Sequence, residues 1–208
     1  MTILQVDQLT KKIKGMPIIQ DVSFKLDEGQ IVGLVGANGA GKTTLMKVIL
    51  GLSNYQDGSY KVRANTNNKS NTGALIESPG VYPFLTGYDN LKLLCESKEK
   101  NAIDDIVKKL KMDRYIHKKA KTDSLGMKQK LGIAIAFLNH PQLIVLDEPM
   151  NGLDPKAVRD VRELIVETAK QGTTFLISSH ILSELVKITD SILIIDEGKI
   201  IKQTTREE

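Results

Sequence analysis

The sequence predicts an α/β fold with a mixed, largely parallel sheet, an N-terminal antiparallel β portion and an inserted helical lobe. Three observations predict it: alternating apolar residues near the start, strand and helix patterns that alternate at both ends of the chain, and a purely helical signal between them. We expect a single domain over residues 1–208. Its core lobe would comprise residues 1–77 and 140–208, and its helical lobe residues 78–139.

The N-terminal third carries the β portion and the first buried strand. Alternating apolar residues at 22–26 are typical of a strand that ends at a glycine turn. The apolar run 30–35 has the character of a fully buried strand. Residues 42–50 follow with a helical pattern that ends at a glycine. The polar stretch 63–72 has no periodicity and predicts a surface loop.

The middle of the chain predicts helices. Thr86 is placed to cap one helix, an apolar stripe over 103–110 indicates a second, and a third begins near Ser124. After residue 140 the pattern returns to alternating strands and helices. The predicted elements there are a strand at 143–147, a helix at 155–170, a strand at 173–178, a helix at 181–189 and a strand at 191–196, followed by a hairpin.

Composition limits the classes of function. The chain has 208 residues, a net charge of +4 and one cysteine, so no internal disulfide forms and a reducing compartment fits. No apolar run approaches the roughly 20 residues that span a bilayer. We therefore expect a cytoplasmic protein that meets the membrane only through a partner. The lysines are interleaved with acids, so nucleic-acid binding is not expected.

A glycine-rich loop follows the predicted buried strand. Residues 36–43 read GANGAGKT and satisfy the pattern GxxxxGK[ST]. Such glycines let backbone N–H groups close around phosphates, and the following helix adds its positive end. Lys42 should reach the β- and γ-phosphates of a bound nucleotide, and Thr43 should ligate Mg²⁺. The sequence thus predicts a P-loop NTPase core. The predicted nucleotide-binding residues here are Gly36, Ala37, Asn38, Gly39, Ala40, Gly41, Lys42, Thr43 and Thr44.

Two carboxylates, Asp147 and Glu148, directly follow the apolar run 143–146. Ligands bind at the carboxyl ends of strands in open parallel sheets, so Asp147 is expected in the Mg²⁺ shell. Strand pleating would turn Glu148 to the other side, where it can act on the attacking water as a general base. An acidic pair that merely caps a turn is the alternative. His180 also follows an apolar run, although a histidine alone at a strand end is more often structural.

Taken together, these residues resemble the ATP-binding subunit of an ABC transporter over nearly the whole chain. The resemblance implies catalytic roles for Glu148 and for His180, which matches the histidine that contacts the γ-phosphate. The matching segments are the Walker A loop at 36–43, the signature at 123–130 (DSLGMKQK), the Walker B strand at 143–148, the D-loop at 151–154 and the switch histidine His180.

The resemblance also implies partners. Such subunits work as head-to-tail dimers, here with a second copy or with a paralogous ATPase subunit. Ser124 and Gly126 would contact the ATP held by Lys42 of the other copy, and Asp154 would contribute from the D-loop. A separate transmembrane permease would hold the assembly at the inner face of the cell membrane and receive the closing motion through residues 77–94.

Several positions depart from the family pattern. Asp123, Leu125 and Met127 replace the usual leucine, glycine and glutamine of the signature. Ile13 stands near the usual aromatic residue that stacks on adenine, so we expect weak adenine selectivity. Glu77 stands where the Q-loop glutamine usually lies. We expect Glu77 to contact Mg²⁺ or its water only in the closed dimer.

A narrower resemblance concerns residues 73–93 and 124–129. These segments are similar to the bacitracin and lantibiotic resistance or self-immunity transporters, which implies export of an antimicrobial peptide or drug. Three alternatives remain: a non-transport ABC ATPase acting on nucleic acid or ribosomes, a soluble P-loop kinase, and an ATP-binding regulatory subunit with little turnover. The helical lobe has no room for the long insertions of DNA-repair types, and a kinase would not need these motifs in this order.

Overall fold

The computed structural model describes residues 1–63, 72–96 and 101–205. The predicted surface loop at 63–72 therefore lies almost wholly outside the described residues. The strands are β1 Thr2–Ile13, β2 Met16–Asp27, β3 Ile31–Val35, β4 Asp57–Val62, β5 Thr72–Leu75, β6 Leu143–Leu146, β7 Thr174–Ser179, β8 Ser191–Asp196 and β9 Lys199–Thr205. The helices are α1 Lys42–Ile49, α2 Gly87–Leu94, α3 Ala102–Lys109, α4 Leu125–Phe137, α5 Pro155–Lys170 and α6 Leu182–Leu185.

The strands form two sheets. An antiparallel sheet has the order β2-β1-β4, and a larger sheet has the order β5-β6-β7-β3-β8-β9. Among the described strands of the larger sheet, β9 pairs antiparallel with β8, and the other neighbouring strands are parallel. The predicted fold class is confirmed. The parallel arrangement brings the carboxyl ends of β3, β6 and β7 side by side, and the functional residues follow these ends.

The central strands are buried on both faces. Every residue of β6 and β7 is buried, which explains why these segments are nearly continuous apolar runs rather than alternating patterns. On one side of the sheet, Phe175 packs against Phe137 of α4 with ring centroids 5.6 Å apart. On the other side, α1 and the antiparallel sheet share an apolar cluster that includes Leu4 and Leu45. The two clusters fix the sheet between its covering layers.

The capping predictions are confirmed, and one helix is shorter than predicted. Thr86 and Ser124 each accept a hydrogen bond from the backbone N–H three residues ahead and begin α2 and α4. The predicted helix at 181–189 was too long, since α6 covers four residues. Ile181 offers no capping side chain there. Beyond the helix, Asp190 accepts the N–H of Ile31.

Two strands were not predicted from the sequence. β4 is a short strand that pairs with β1, and β5 forms the edge of the large sheet beside β6. A Cβ on Gly73 of β5 would lie 1.8 Å from the carbonyl oxygen of Ala136, so this strand lies directly on α4. The pattern of β5 is too short and too mixed to reveal a strand. The division into core and helical lobes at 77/78 and 139/140 stays a prediction.

Among the described residues, no helix has both the length and the apolar character that crossing a membrane requires.

Candidate active site

The glycine-rich loop joins β3 to α1 and requires its glycines. A Cβ on Gly36 would lie 2.3 Å from the carbonyl oxygen of Ile195, so only glycine allows the loop to pass β8 this closely. Gly41 has a φ of 107° directly before α1, a conformation that L side chains rarely adopt. The loop therefore wraps the start of α1, whose free N–H groups point at whatever the loop encloses.

A cavity of about 370 Å³ opens over this loop. It brings together most of the predicted nucleotide-binding and metal-binding residues of this chain. Ile18 was not predicted; it comes from β2, and only the β1–β2 hairpin reveals that it lies close to Ile13. The lining residues are Ile13, Ile18, Asn38, Gly39, Gly41, Lys42, Thr43, Thr44, Asp147 and Glu148.

Lys42 supplies the positive charge of the cavity. Its side chain is almost fully buried, and its Nζ donates to the carbonyl oxygens of Gly36 at 2.6 Å and Ala37 at 3.1 Å. The Nζ also lies 3.7 Å from Oε1 of Glu148. These contacts hold the ammonium at the mouth of the loop, which is where a phosphate group bound by the loop would need it.

Thr43 and Asp147 present two hard oxygen ligands side by side. The Thr43 hydroxyl donates to Oδ2 of Asp147 at 2.7 Å, and the Asp147 carboxylate is buried. Mg²⁺ is commonly held by one or two such protein ligands together with phosphate oxygens and water. The donor set beside the phosphate loop therefore fits Mg²⁺ shared with a nucleotide.

The prediction that pleating separates the two carboxylates was wrong. β6 ends at Leu146, and Glu148 has a left-handed φ of 49°, so Asp147 and Glu148 line the same cavity. Oε2 of Glu148 lies 2.9 Å from Nδ1 of His180. Glu148 therefore stands between the Lys42 ammonium and the His180 ring.

Two polar residues missed by the sequence reasoning hold this turn. The buried Ser178 of β7 donates to Oδ1 of Asp147 at 2.5 Å and accepts from the N–H of Glu148 at 2.9 Å. The buried Gln129 of α4 donates to the carbonyl oxygens of Pro149 at 3.1 Å and Glu148 at 3.4 Å. The only sequence signals were a hydroxyl two residues before His180 and an amide near the end of the signature.

The signature residues lie outside this cavity, against the D-loop of the same chain. The Ser124 hydroxyl accepts from the N–H of Met127 at 3.3 Å. A Cβ on Gly126 would lie 2.8 Å from the Gly152 carbonyl oxygen, and one on Gly152 would lie 2.9 Å from Leu125. Leu125 nevertheless stays 69% exposed. The structure therefore brings the signature to the D-loop and not to the chain's own Lys42.

The carboxylates of Asp154 and Glu77 are also absent from the cavity lining. Asp154 caps α5 by accepting from two backbone N–H groups, and its hydrogen bond from Ala157 lowers the pKa of its carboxyl. Glu77 pairs with Lys47 at 2.7 Å and is mostly exposed. Their roles toward ATP and Mg²⁺ in a closed dimer stay predictions.

Asp123, which replaces an apolar signature residue, is buried. Burial raises the pKa of its carboxyl, and the charges of Lys128 and Lys118 oppose that rise. The carboxylate stands at the C-terminal end of the 3₁₀ turn Ala120–Thr122, directly before the capping serine of α4. The residue that departs from the family pattern at this position is therefore buried within its own chain.

A phosphate loop between a buried strand and a helix, with a lysine, a threonine and two carboxylates around one cavity, defines a P-loop nucleoside triphosphatase. A sequence model described as ABC transporter matches residues 19–151, and the chain belongs to this family. The chain is accordingly an ATP-binding ATPase subunit of an ABC transporter.

Curated relatives support the assignment over nearly the whole chain. An uncharacterised ABC transporter ATP-binding protein of Bacillus subtilis is 41% identical, over 95% of this chain and 68% of that protein. A lantibiotic transport ATP-binding protein of Streptococcus pyogenes is 38% identical, over 95% and 89%. A bacitracin transport ATP-binding protein of Enterococcus faecalis is 36% identical, over 99% and 70%.

Solved structures agree in fold. An ATP-binding subunit of an ABC transporter is 29% identical with a TM-score of 0.89, and the match covers 98% of this chain and 90% of that one. A dimeric ATP-binding cassette in a post-hydrolysis state, bound to ADP and Pi, has a TM-score of 0.87 at 20% identity, with 98% of each chain covered. At that identity the second likeness concerns the fold alone.

Proposed function

We propose that this subunit hydrolyses Mg²⁺-bound ATP in a head-to-tail dimer to drive export of an antimicrobial peptide or drug by a separate membrane permease. One observation carries the hydrolytic part. Glu148 lies at the phosphate-loop cavity with its carboxylate between Lys42, at 3.7 Å, and His180, at 2.9 Å. A carboxylate in this position can take a proton from water that attacks the γ-phosphate.

The residues around Glu148 have different roles in binding ATP and Mg²⁺. Lys42 exchanges its contacts with loop carbonyls for phosphate oxygens, and the loop N–H groups complete the phosphate site. Thr43 and Asp147 would hold Mg²⁺, which supplies positive charge to the phosphates when bound. His180 orients the Glu148 carboxylate through its Nδ1 contact. Ile13 and Ile18 offer only apolar contact to a base, so adenine selectivity is weak.

The second half of the ATP site comes from another subunit, either a second copy or a paralogue. At the start of α4, Ser124 is exposed and Gly126 is half-buried, and the capping hydroxyl with the free N–H groups there forms an anion site. Asp154 is the last residue of the D-loop that contacts this turn. Glu77 would exchange Lys47 for Mg²⁺ or its water on closure.

The export role rests on the relatives. Proteins named for bacitracin and lantibiotic transport are 36% and 38% identical to this chain. The proposed location follows from this role: the subunit lies in the cytoplasm and binds the inner face of the cell membrane through the permease.

Replacing the general base tests the hydrolytic part. In Glu148→Gln, ATP turnover should fall by about 10²–10⁴-fold, because the amide cannot accept the proton, while ATP binding survives. The exposed Glu163→Gln on α5 is the matched control and should keep normal turnover. Near-normal hydrolysis by Glu148→Gln would remove Glu148 from this role.

Resistance tests the transport part. Co-expression with a permease from the neighbouring reading frames should raise the bacitracin or lantibiotic concentration that a sensitive strain survives. The Glu148→Gln variant should give no protection at equal expression. If neither protects against either class of peptide, the proposed substrate class is wrong. If wild type and variant protect equally, the protection does not depend on ATP hydrolysis by this subunit and the proposed coupling is wrong.

A further inference from the structure

Ser178 contacts both acidic residues of the site at once. Its hydroxyl donates to Oδ1 of Asp147 at 2.5 Å, and its oxygen accepts the N–H of Glu148 at 2.9 Å. The residue is fully buried on β7. One hydroxyl therefore binds the side chain of the proposed metal ligand and the main chain of the proposed general base.

The position of Ser178 in the sheet explains this double contact. β6 and β7 are paired as far as Leu146 and Ile177, so Ser178 is the next residue along β7 where β6 has ended. Glu148 lies beyond the end of β6 with a φ of 49°. Its N–H donates a hydrogen bond to the Ser178 hydroxyl instead of to a backbone carbonyl of β7. The hydroxyl thus continues the sheet's hydrogen bonding past the end of β6.

The contact also selects which Asp147 oxygen faces the cavity. Ser178 occupies Oδ1, whereas Oδ2 receives the Thr43 hydroxyl at 2.7 Å. The carboxylate cannot rotate without breaking both bonds. Groups that orient a metal ligand in this way typically change metal affinity or activity by about 10–100-fold when removed.

We propose that Ser178 is a positioning residue of the ATPase site, which fixes the Asp147 carboxylate toward Thr43 and Mg²⁺ and holds the backbone of Glu148. This inference rests on the magnesium site of the proposed function. Ser178 itself does not line the cavity and would act only through Asp147 and Glu148. Its effect should therefore appear in the Mg²⁺ dependence and not in metal-free nucleotide binding.

The test compares Ser178→Ala with Ser178→Thr, which keeps the hydroxyl. Binding of a non-hydrolysable ATP analogue is measured by calorimetry in EDTA and across a Mg²⁺ titration, and turnover is measured over the same titration. In Ser178→Ala the half-saturating Mg²⁺ concentration should rise about 10–100-fold in both assays, with binding in EDTA unchanged. Ser178→Thr should stay near the wild-type value. Ser191→Ala, another buried serine at the far end of the sheet, is the control.

The outcomes separate the two proposals. If the wild type shows no Mg²⁺ dependence in either assay, the proposed magnesium site fails. If the wild type depends on Mg²⁺ and Ser178→Ala has the same half-saturating concentration, the role of Ser178 is refuted. Should the alanine variant not fold, as judged by circular dichroism, a folded Ser178→Thr that requires tenfold more Mg²⁺ would refute the role as well.

Discussion

Replacing Gln129 should reveal how the signature helix supports the catalytic turn. Gln129 is 7% exposed and donates to the carbonyl oxygens of Pro149 at 3.1 Å and Glu148 at 3.4 Å. The shorter contact is a full hydrogen bond and the longer one is weak, so Gln129→Met should cost about 1–2 kcal/mol of unfolding free energy. A protein of this size loses about 2–4 °C of melting temperature per kcal/mol.

Gln129→Glu tests the same two contacts with a side chain that carries a negative charge when ionised. An ionised carboxylate would face two carbonyl oxygens with no donor, so this variant should be less stable than Gln129→Met at neutral pH. Burial would raise the pKa of the new carboxyl. Its cost therefore shrinks as the pH falls through that raised pKa, because the protonated acid can donate again.

Urea unfolding of wild type and both variants over a pH series measures these differences. Gln171→Met, at an exposed glutamine after α5, serves as the control and should match wild type. The reasoning is refuted if Gln129→Met is as stable as wild type, or if Gln129→Glu follows Gln129→Met at every pH. Turnover should fall in both variants, because the carbonyl that Gln129 holds belongs to the residue proposed as the general base.

Three further predictions concern the loop and two aspartates. Gly41→Ala should lower the melting temperature more than Gly39→Ala. Both glycines have a positive φ, but only a Cβ on Gly41 would meet neighbouring atoms, at 2.8 Å. Equal losses of melting temperature would show that backbone strain alone matters. Burial raises the pKa of Asp123, so its contribution to stability falls as the pH rises from about 3.9 toward that raised value. Urea unfolding of Asp123→Asn should lack this fall, and an unchanged pH profile would contradict the assignment. Hydrogen bonds lower the pKa of Asp154, so its stabilisation is present above the ordinary value and lost as the pH falls through the lowered pKa. Asp154→Ala should therefore differ from wild type at neutral pH and converge with it in acid, whereas a constant difference would point to a cause other than the charge.

The sequence predicted those parts of the site that depend on order along the chain. The phosphate loop, Asp147 and His180 each follow a buried apolar run, and parallel strands bring such ends to one edge of a sheet. Local capping was equally predictable, since Thr86 and Ser124 need only their own backbone neighbours.

What could not be predicted depends on contacts between distant segments. The left-handed turn at Glu148 breaks the pleat that a linear pattern assumes. Ser178 and Gln129 acquire their roles only because β7 and α4 lie on either side of this turn. The sequence does not show whether a buried serine or glutamine stabilises a catalytic turn or only packs in the core. Only the fold distinguishes these two roles.

Residues 125 and 152 share one small space where the signature meets the D-loop. The Leu125 side chain covers Gly152, whose φ of 75° and missing Cβ leave the room that a leucine needs. A Cβ at position 152 would force the exposed Leu125 side chain to move and would strain a backbone conformation that L residues rarely adopt. The two loops should therefore be exchanged together when chimaeric subunits are built.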